Sequence, residues 1–193
     1  MLEFKELSPF FKALINYIGN GYTYYQVSYI PQKKAHKKAH ILAKLSKKYN
    51  TQLTKWQRQY RKRKGLANYQ VFNLKSVVVV LKTPGEDETG ENWQKFPILP
   101  VNFGVLELEI IKDERDKITV KISKNLLKEI KANIREAFKK RDGRKFHYEM
   151  KKLYNLHKSL KYRGIMLQIS DILREIQELK KKHTIKWEVP KFF

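Results

Sequence analysis

The segment from residue 7 to residue 85 contains sixteen Lys and Arg and no Asp or Glu. An average protein is about 25% charged with both signs present, so roughly ten carboxylates would be expected in a segment of this length. Its cations have no carboxylate near them in sequence, and they belong on faces that the core does not bury. The charge pattern therefore predicts that this half of the chain presents a cationic surface to a polyanion.

The composition is that of a folded protein. Of the 193 residues 41% are hydrophobic and 12% aromatic, which is sufficient for a core and unlike a disordered basic tail. Cysteine is absent, which excludes disulfides and thiolate sites. The first residues lack the pattern of a secretory signal, and no stretch approaches the ~20 apolar residues of a membrane span. We therefore expect a cytoplasmic protein that is associated with nucleic acid.

Two consecutive amphipathic helices are predicted in the basic half, over residues 33–49 and 52–64. In the second helix, Leu53, Trp56 and Tyr60 form the apolar stripe, so they are expected to face the core, and the Lys and Arg side chains are expected to point away from it. The corresponding apolar stripe of the first helix consists of Ala35, Ala39, Leu42, Leu45 and Tyr49.

The thirteen Lys and Arg between residues 33 and 64 are the predicted nucleic-acid-binding residues. Each phosphate that a cation neutralises releases condensed counterions, and this release favours binding. The guanidinium groups of Arg58, Arg61 and Arg63 suit phosphates and guanine edges better than ammonium groups do, so residues 61–64 are expected to make the tightest contact. The predicted set is Lys33, Lys34, Lys37, Lys38, Lys44, Lys47, Lys48, Lys55, Arg58, Arg61, Lys62, Arg63 and Lys64.

Strand-like sequence lies on both sides of these helices. Residues 22–30 are dense in Tyr and Val, and Tyr22 and Tyr24 share one face of the predicted strand. An aromatic strand face can stack unpaired bases, so these two tyrosines complete the predicted binding site. The segment Tyr69–Leu81 ends in a continuous β-branched run, which is typical of a strand that is covered on both sides.

The remainder predicts a hairpin followed by helices. Residues 83–102 are expected to form a long irregular connection, and alternating apolar residues predict a hairpin from 103–111 and 117–122. The chain is therefore predicted to be an α+β protein with a small, mostly antiparallel sheet, basic helices and a helical carboxyl-terminal segment. We expect a basic α/β core over residues 1–122 and the helical segment over residues 123–193, which can pack as one domain.

Catalysis has weaker support in the sequence. Glycine-rich phosphate loops, dinucleotide-binding glycines, serine elbows and zinc-ligand spacings are absent, so no cofactor, metal or catalytic residue is assigned. An alternative is a Mg²⁺-dependent nuclease, because Glu107 and Glu109 share a strand face and could hold Mg²⁺ together with Asp113. The other reading of these acids is a solvated strand face paired with lysines.

Two further alternatives concern partners. A membrane surface is another polyanion, although the protein is not expected to insert into it. An accessory subunit of a nucleoprotein complex, such as a mobile-element machinery, would bind a protein partner or a second copy through a coiled-coil-like seam. The seam residues are Ile165, Ile169, Ile172, Ile176 and Leu179. The sequence leaves open whether the nucleic acid is DNA or RNA.

Overall fold

The computed structural model describes residues 1–192, which form an α+β protein with a helical carboxyl-terminal segment, as predicted. The strands are β1 (Leu2–Phe4), β2 (Tyr24–Tyr29), β3 (Tyr69–Leu74), β4 (Val77–Lys82), β5 (Gln94–Lys95), β6 (Ile98–Phe103), β7 (Leu106–Lys112) and β8 (Ile118–Ile122). A 3₁₀ helix spans Gln32–Lys37, and the α-helices are α1 (Leu7–Gly19), α2 (Lys38–Lys48), α3 (Lys55–Arg63), α4 (Lys124–Lys140), α5 (Gly143–Ser159) and α6 (Arg163–His183).

The chain forms two compact units. The first, called the sheet unit below, comprises Met1–Phe103 and Ile110–Ile118. The second, called the helical unit, comprises Gly104–Glu109 and the chain from Thr119 onward. All thirteen predicted phosphate-binding cations belong to the sheet unit.

The sheet unit is built on a five-stranded sheet with the order β1-β3-β4-β2-β5. Strand β1 runs parallel to β3, and the other neighbours are antiparallel. The strand predicted at the end of the segment Tyr69–Leu81 is confirmed as β4, and the chain turns at Lys75 and Ser76, so that β3 pairs with it and Leu74 lies opposite Val77. Lys75 adopts a positive φ of 54°, which lets two residues reverse the chain. The segment Tyr69–Leu81 thus belongs to a hairpin, and the β-branched run is its second strand.

Both faces of the central hairpin are buried, as its β-branched sequence predicts. Helix α1 covers one face, where the Tyr17 and Phe72 rings lie 5.1 Å apart. Helix α2 covers the other face, and Leu42 packs there against Val71 and Val78. Because α1 and α2 occupy the two faces of the sheet, α3 does not pack over its centre.

The region 83–102, predicted to be irregular, contains β5 and begins β6. The predicted hairpin is confirmed as β7 and β8, and its turn closes where the Asp113 N–H donates to the Lys117 carbonyl over 2.8 Å. Strands β6, β7 and β8 form a three-stranded sheet in that order.

The helical unit packs α4, α5 and α6 against one another. Helix α4 is capped by Ser123 and ends at Arg141, whose positive φ of 53° precedes the α5 cap Asp142. The four isoleucines of the predicted docking seam are 0–1% exposed. They lie in the core of this unit, which disfavours docking through them, whereas Leu179 is partly exposed, and a partner at this seam stays a prediction. Within the described residues, no helix combines the length and apolar character needed to cross a bilayer.

Candidate nucleic-acid interface

Helix α3 begins with a capping box. The Gln57 N–H donates to Thr54 Oγ1, and the Thr54 N–H donates in return to Gln57 Oε1. This reciprocal pair satisfies two backbone donors that a helix start leaves free. The cap fixes the residue at which the helix begins.

The two arginines that face the protein are Arg58 and Arg61. Arg58 Nη2 donates to the Thr51 carbonyl over 3.0 Å and to Gln70 Oε1 over 3.1 Å. Arg61 donates to the Ala67 carbonyl through Nε and Nη2, at 3.3 and 3.0 Å, and forms an ion pair with Glu88. These guanidinium groups hold α3 against the chain.

The predicted orientation of α3 is therefore wrong. Trp56 and Tyr60, expected in the core, are 78% and 61% exposed. The surface under the helix offers oxygen acceptors, and only side chains with several donors can satisfy them. An indole in the place of Arg58 has only one N–H donor and would leave at least one of the two Arg58 acceptors without that partner.

The solvent side of α3 combines aromatic rings with cations. Successive helix residues are about 100° apart around the axis. Trp56 and Arg63 therefore lie on the side of α3 that faces away from Arg58 and Arg61, and Tyr60 lies next to them. Lys64 Nζ lies 5.8 Å from the centre of the Tyr60 ring. Lys55 and Lys62 border a groove of about 610 Å³ along one flank, and none of its lining residues is acidic. We call the surface of Trp56, Gln59, Tyr60 and Arg63 the α3 outer face.

The region predicted as the first basic helix begins as a 3₁₀ helix and continues as α2. Ala35 and Ala39, predicted to be apolar stripe residues, are exposed. Lys34, Lys37 and Lys44 line a second groove, of about 540 Å³, whose lining also contains no carboxylate. Exposed cations without an ion pair to any described residue are Lys33, Lys34, Lys37, Lys44, Lys47, Lys55, Lys62, Arg63 and Lys64.

The remaining predicted cations have protein partners. Lys38 pairs with Glu3 over 2.7 Å. Lys48 pairs with Glu91, which also accepts a 2.6 Å hydrogen bond from the Tyr49 hydroxyl. Together with Arg58 and Arg61, these two lysines are therefore less available to phosphates than the nine free cations.

The acids that follow the carboxylate-free segment hold a cluster of aromatic residues. Asp87 accepts hydrogen bonds from the Tyr69 hydroxyl, the Thr89 hydroxyl and Trp93 Nε1 at 2.6–2.7 Å. Burial acts to raise the pKa of Asp87, but these hydrogen bonds outweigh it and lower the pKa to about 2. Burial and the Asp87 carboxylate raise the pKa of Tyr69. The cluster has a structural role, because the Asp87 carboxylate accepts hydrogen bonds from within it.

The two strand tyrosines are not open platforms. Tyr22 is 8% exposed and packs its ring 5.0 Å from that of Tyr17, and burial raises the pKa of its hydroxyl. Tyr24 is half-buried, and Lys82 Nζ lies 4.8 Å from its ring centre. Base stacking by Tyr22 and Tyr24 stays a prediction, and the burial of Tyr22 and the position of Lys82 beside Tyr24 disfavour it. Tyr29, at the other end of β2, is 48% exposed and lines the second groove.

Two of the three carboxylates of the alternative nuclease site accept hydrogen bonds from the protein. Glu107 accepts a 2.8 Å hydrogen bond from the Ser123 hydroxyl. Burial, and then the neighbouring Glu107 charge, raise the pKa of Glu109. Asp113 accepts hydrogen bonds from the backbone of Arg115 and Lys117 in the hairpin turn. No group of three or more His, Cys, Asp or Glu positioned to hold a metal ion occurs in residues 1–192.

Sequence reasoning identified the free cations but assigned the aromatic residues to the wrong faces. The sequence shows that the segments before and after α3 contain no carboxylates. It does not show the oxygen acceptors on which α3 packs. Comparisons with protein-family models, with curated proteins and with solved structures gave no match to this chain.

Proposed function

We propose that the sheet unit binds unpaired nucleic acid, with phosphates on the free cations of the 3₁₀ helix, α2 and α3, and with bases stacked on Trp56 and Tyr60. The observation that supports this most strongly is the α3 outer face. A large indole and a phenol ring lie open to solvent one helical turn apart, next to Arg63 and Lys64.

The phosphate contacts are supported by nine exposed cations without ion-pair partners among the described residues. Their mutual repulsion costs free energy, and a polyanion would remove it. Each neutralised phosphate of a single strand should contribute about −0.7 to the slope of log K against log salt.

The stacking contacts favour unpaired strands over duplexes. Side chains at positions i and i+4 of a helix have Cβ atoms about 5–6 Å apart, so Trp56 and Tyr60 can each contact a separate base. Stacking on an aromatic side chain contributes about 1–3 kcal/mol per base, and every base offers a flat face. In a duplex those faces are covered by neighbouring base pairs, so only the phosphate contacts would remain.

We also propose that the protein is located in the cytoplasm, in association with nucleic acid.

The test is a salt-series binding measurement by fluorescence anisotropy on single-stranded and duplex DNA and RNA. We expect binding to a single strand to exceed binding to a duplex of the same length. Trp56→Leu together with Tyr60→Leu should weaken single-strand binding by about 30-fold or more, since a stacked base is lost at each position. Trp56→Phe with Tyr60→Phe keeps flat rings and should retain most of the affinity.

Four outcomes would contradict the proposal. The first is the absence of binding to any polynucleotide at 20 mM salt. The second is equal weakening by the Leu and Phe pairs, which would indicate that ring stacking is not used. The third is tighter binding to anionic vesicles than to nucleic acid at equal salt, which would favour a membrane surface. The fourth is Mg²⁺-dependent cleavage of the labelled strand, which would replace a plain binder by a nuclease.

A further inference from the structure

The three packed helices of the helical unit differ in the charge that they expose. Helix α4 exposes Glu129, and its Glu136 pairs with Lys140 and Lys145. Helix α6 exposes Asp171 and Glu178 among its cations. The solvent faces of these two helices therefore mix both signs, as an ordinary solvated helix does.

Helix α5 exposes cations and no carboxylate. Its one acidic residue, Glu149, is 3% exposed, faces α4 and accepts a hydrogen bond from Asn133. The side chains opposite the buried stripe are Arg144, Tyr148, Lys151, Asn155 and Lys158, all of them exposed. We call these five residues the α5 outer face.

The cations of the α5 outer face are regularly spaced and free. They occur every seven residues, which at 1.5 Å per residue places them about 10.5 Å apart along the helix. Arg144, Lys151 and Lys158 form no ion pair with any described residue. Between them the Tyr148 ring is 63% exposed, and Lys152 Nζ lies 5.1 Å from its centre.

From this contrast we propose that the α5 outer face is a second nucleic-acid contact, in which Arg144, Lys151 and Lys158 bind backbone phosphates. The inference rests on the proposed function, because it assigns a second surface to the same class of ligand. A regularly charged, flexible strand matches cations spaced along one straight helix, and its phosphates would remove their repulsion. The chain is then a two-site binder, with one basic and aromatic helix face in each compact unit.

The experiment compares two triple variants of the full chain that remove the same charge. The α5 variant is Arg144→Gln, Lys151→Gln, Lys158→Gln, and the control on α6 is Lys180→Gln, Lys181→Gln, Lys182→Gln. We expect the α5 variant to reduce the salt slope for a single-stranded 30-mer by about 2 and the affinity at 0.1 M salt by 10- to 100-fold, while the control changes both much less. A charge-retaining variant, Arg144→Lys, Lys151→Arg, Lys158→Arg, should bind like the wild type.

A labelling measurement on the wild-type chain makes the test independent of how the variants fold. With the 30-mer bound, Lys151 and Lys158 should be protected from an amine-acylating reagent, and Lys180 to Lys182 should not. Equal slopes for the two triple variants, or equal labelling of both groups of lysines, would overturn the α5 assignment while α3 binding stands. A wild-type chain that binds no polynucleotide would instead overturn the proposed function.

Discussion

The inverted orientation of α3 makes a quantitative prediction about folding stability. Arg58→Ala removes the donor for the Thr51 carbonyl and for Gln70 Oε1. Gln70 is buried, with only 2% of its surface exposed. Hydrogen bonds from a charged group contribute about 1.5–3 kcal/mol each, and the two are not additive, so we expect a loss of about 2–4 kcal/mol. Trp56→Ala removes a side chain that is 78% exposed and should change the free energy of unfolding by less than about 0.5 kcal/mol.

Urea denaturation followed by far-ultraviolet circular dichroism measures both values. With a typical m-value of about 2 kcal/mol/M, Arg58→Ala should lower the midpoint by about 1–2 M. Arg63→Ala is the matched control, because it removes the same side chain from the solvent side of the same helix and should leave the midpoint unchanged. If Trp56 were a core residue, Trp56→Ala would instead cost about 3–5 kcal/mol. A larger loss for Trp56→Ala than for Arg58→Ala would refute the orientation of α3.

Three other variants test separate features. The pKa of Asp87 is held at about 2, so its contribution to stability is present above the unfolded pKa near 4 and is lost as the pH falls toward 2. Asp87→Asn should therefore lower the Tm at pH 7 and reduce the decline of Tm between about pH 4 and pH 2, and an unchanged pH profile would contradict this. Glu91→Gln releases Lys48 and should tighten single-strand binding several-fold at low salt, an effect that 0.5 M salt should abolish. Ile172→Ala should cost about 2–5 kcal/mol because the side chain is 1% exposed, with no change in sedimentation coefficient at temperatures where the variant is folded.

Periodic and charge patterns predicted much of the fold. The double-sided burial of the Val77–Lys82 strand, the β7–β8 hairpin and the helical carboxyl-terminal segment all follow from the spacing of apolar residues. The turn at Lys75 was not predictable in this way, because neither Lys75 nor Ser76 belongs to the Gly and Asn pairs that usually mark tight hairpins. The seam on α6 was identified correctly as apolar, but its spacing suits an internal helix interface as well as an external one.

The sequence by itself determined that the sheet unit carries a large excess of free cations, because a segment without carboxylates cannot neutralise its own charge locally. The tertiary structure decided which side of α3 meets the protein. An apolar stripe indicates a buried face only if the surface beneath is apolar, and here that surface consists of the Thr51 and Ala67 carbonyls and the Gln70 amide. Because Arg58 and Arg61 donate to these acceptors, they take the side of α3 that faces the protein, and Trp56 and Tyr60 are left exposed to solvent.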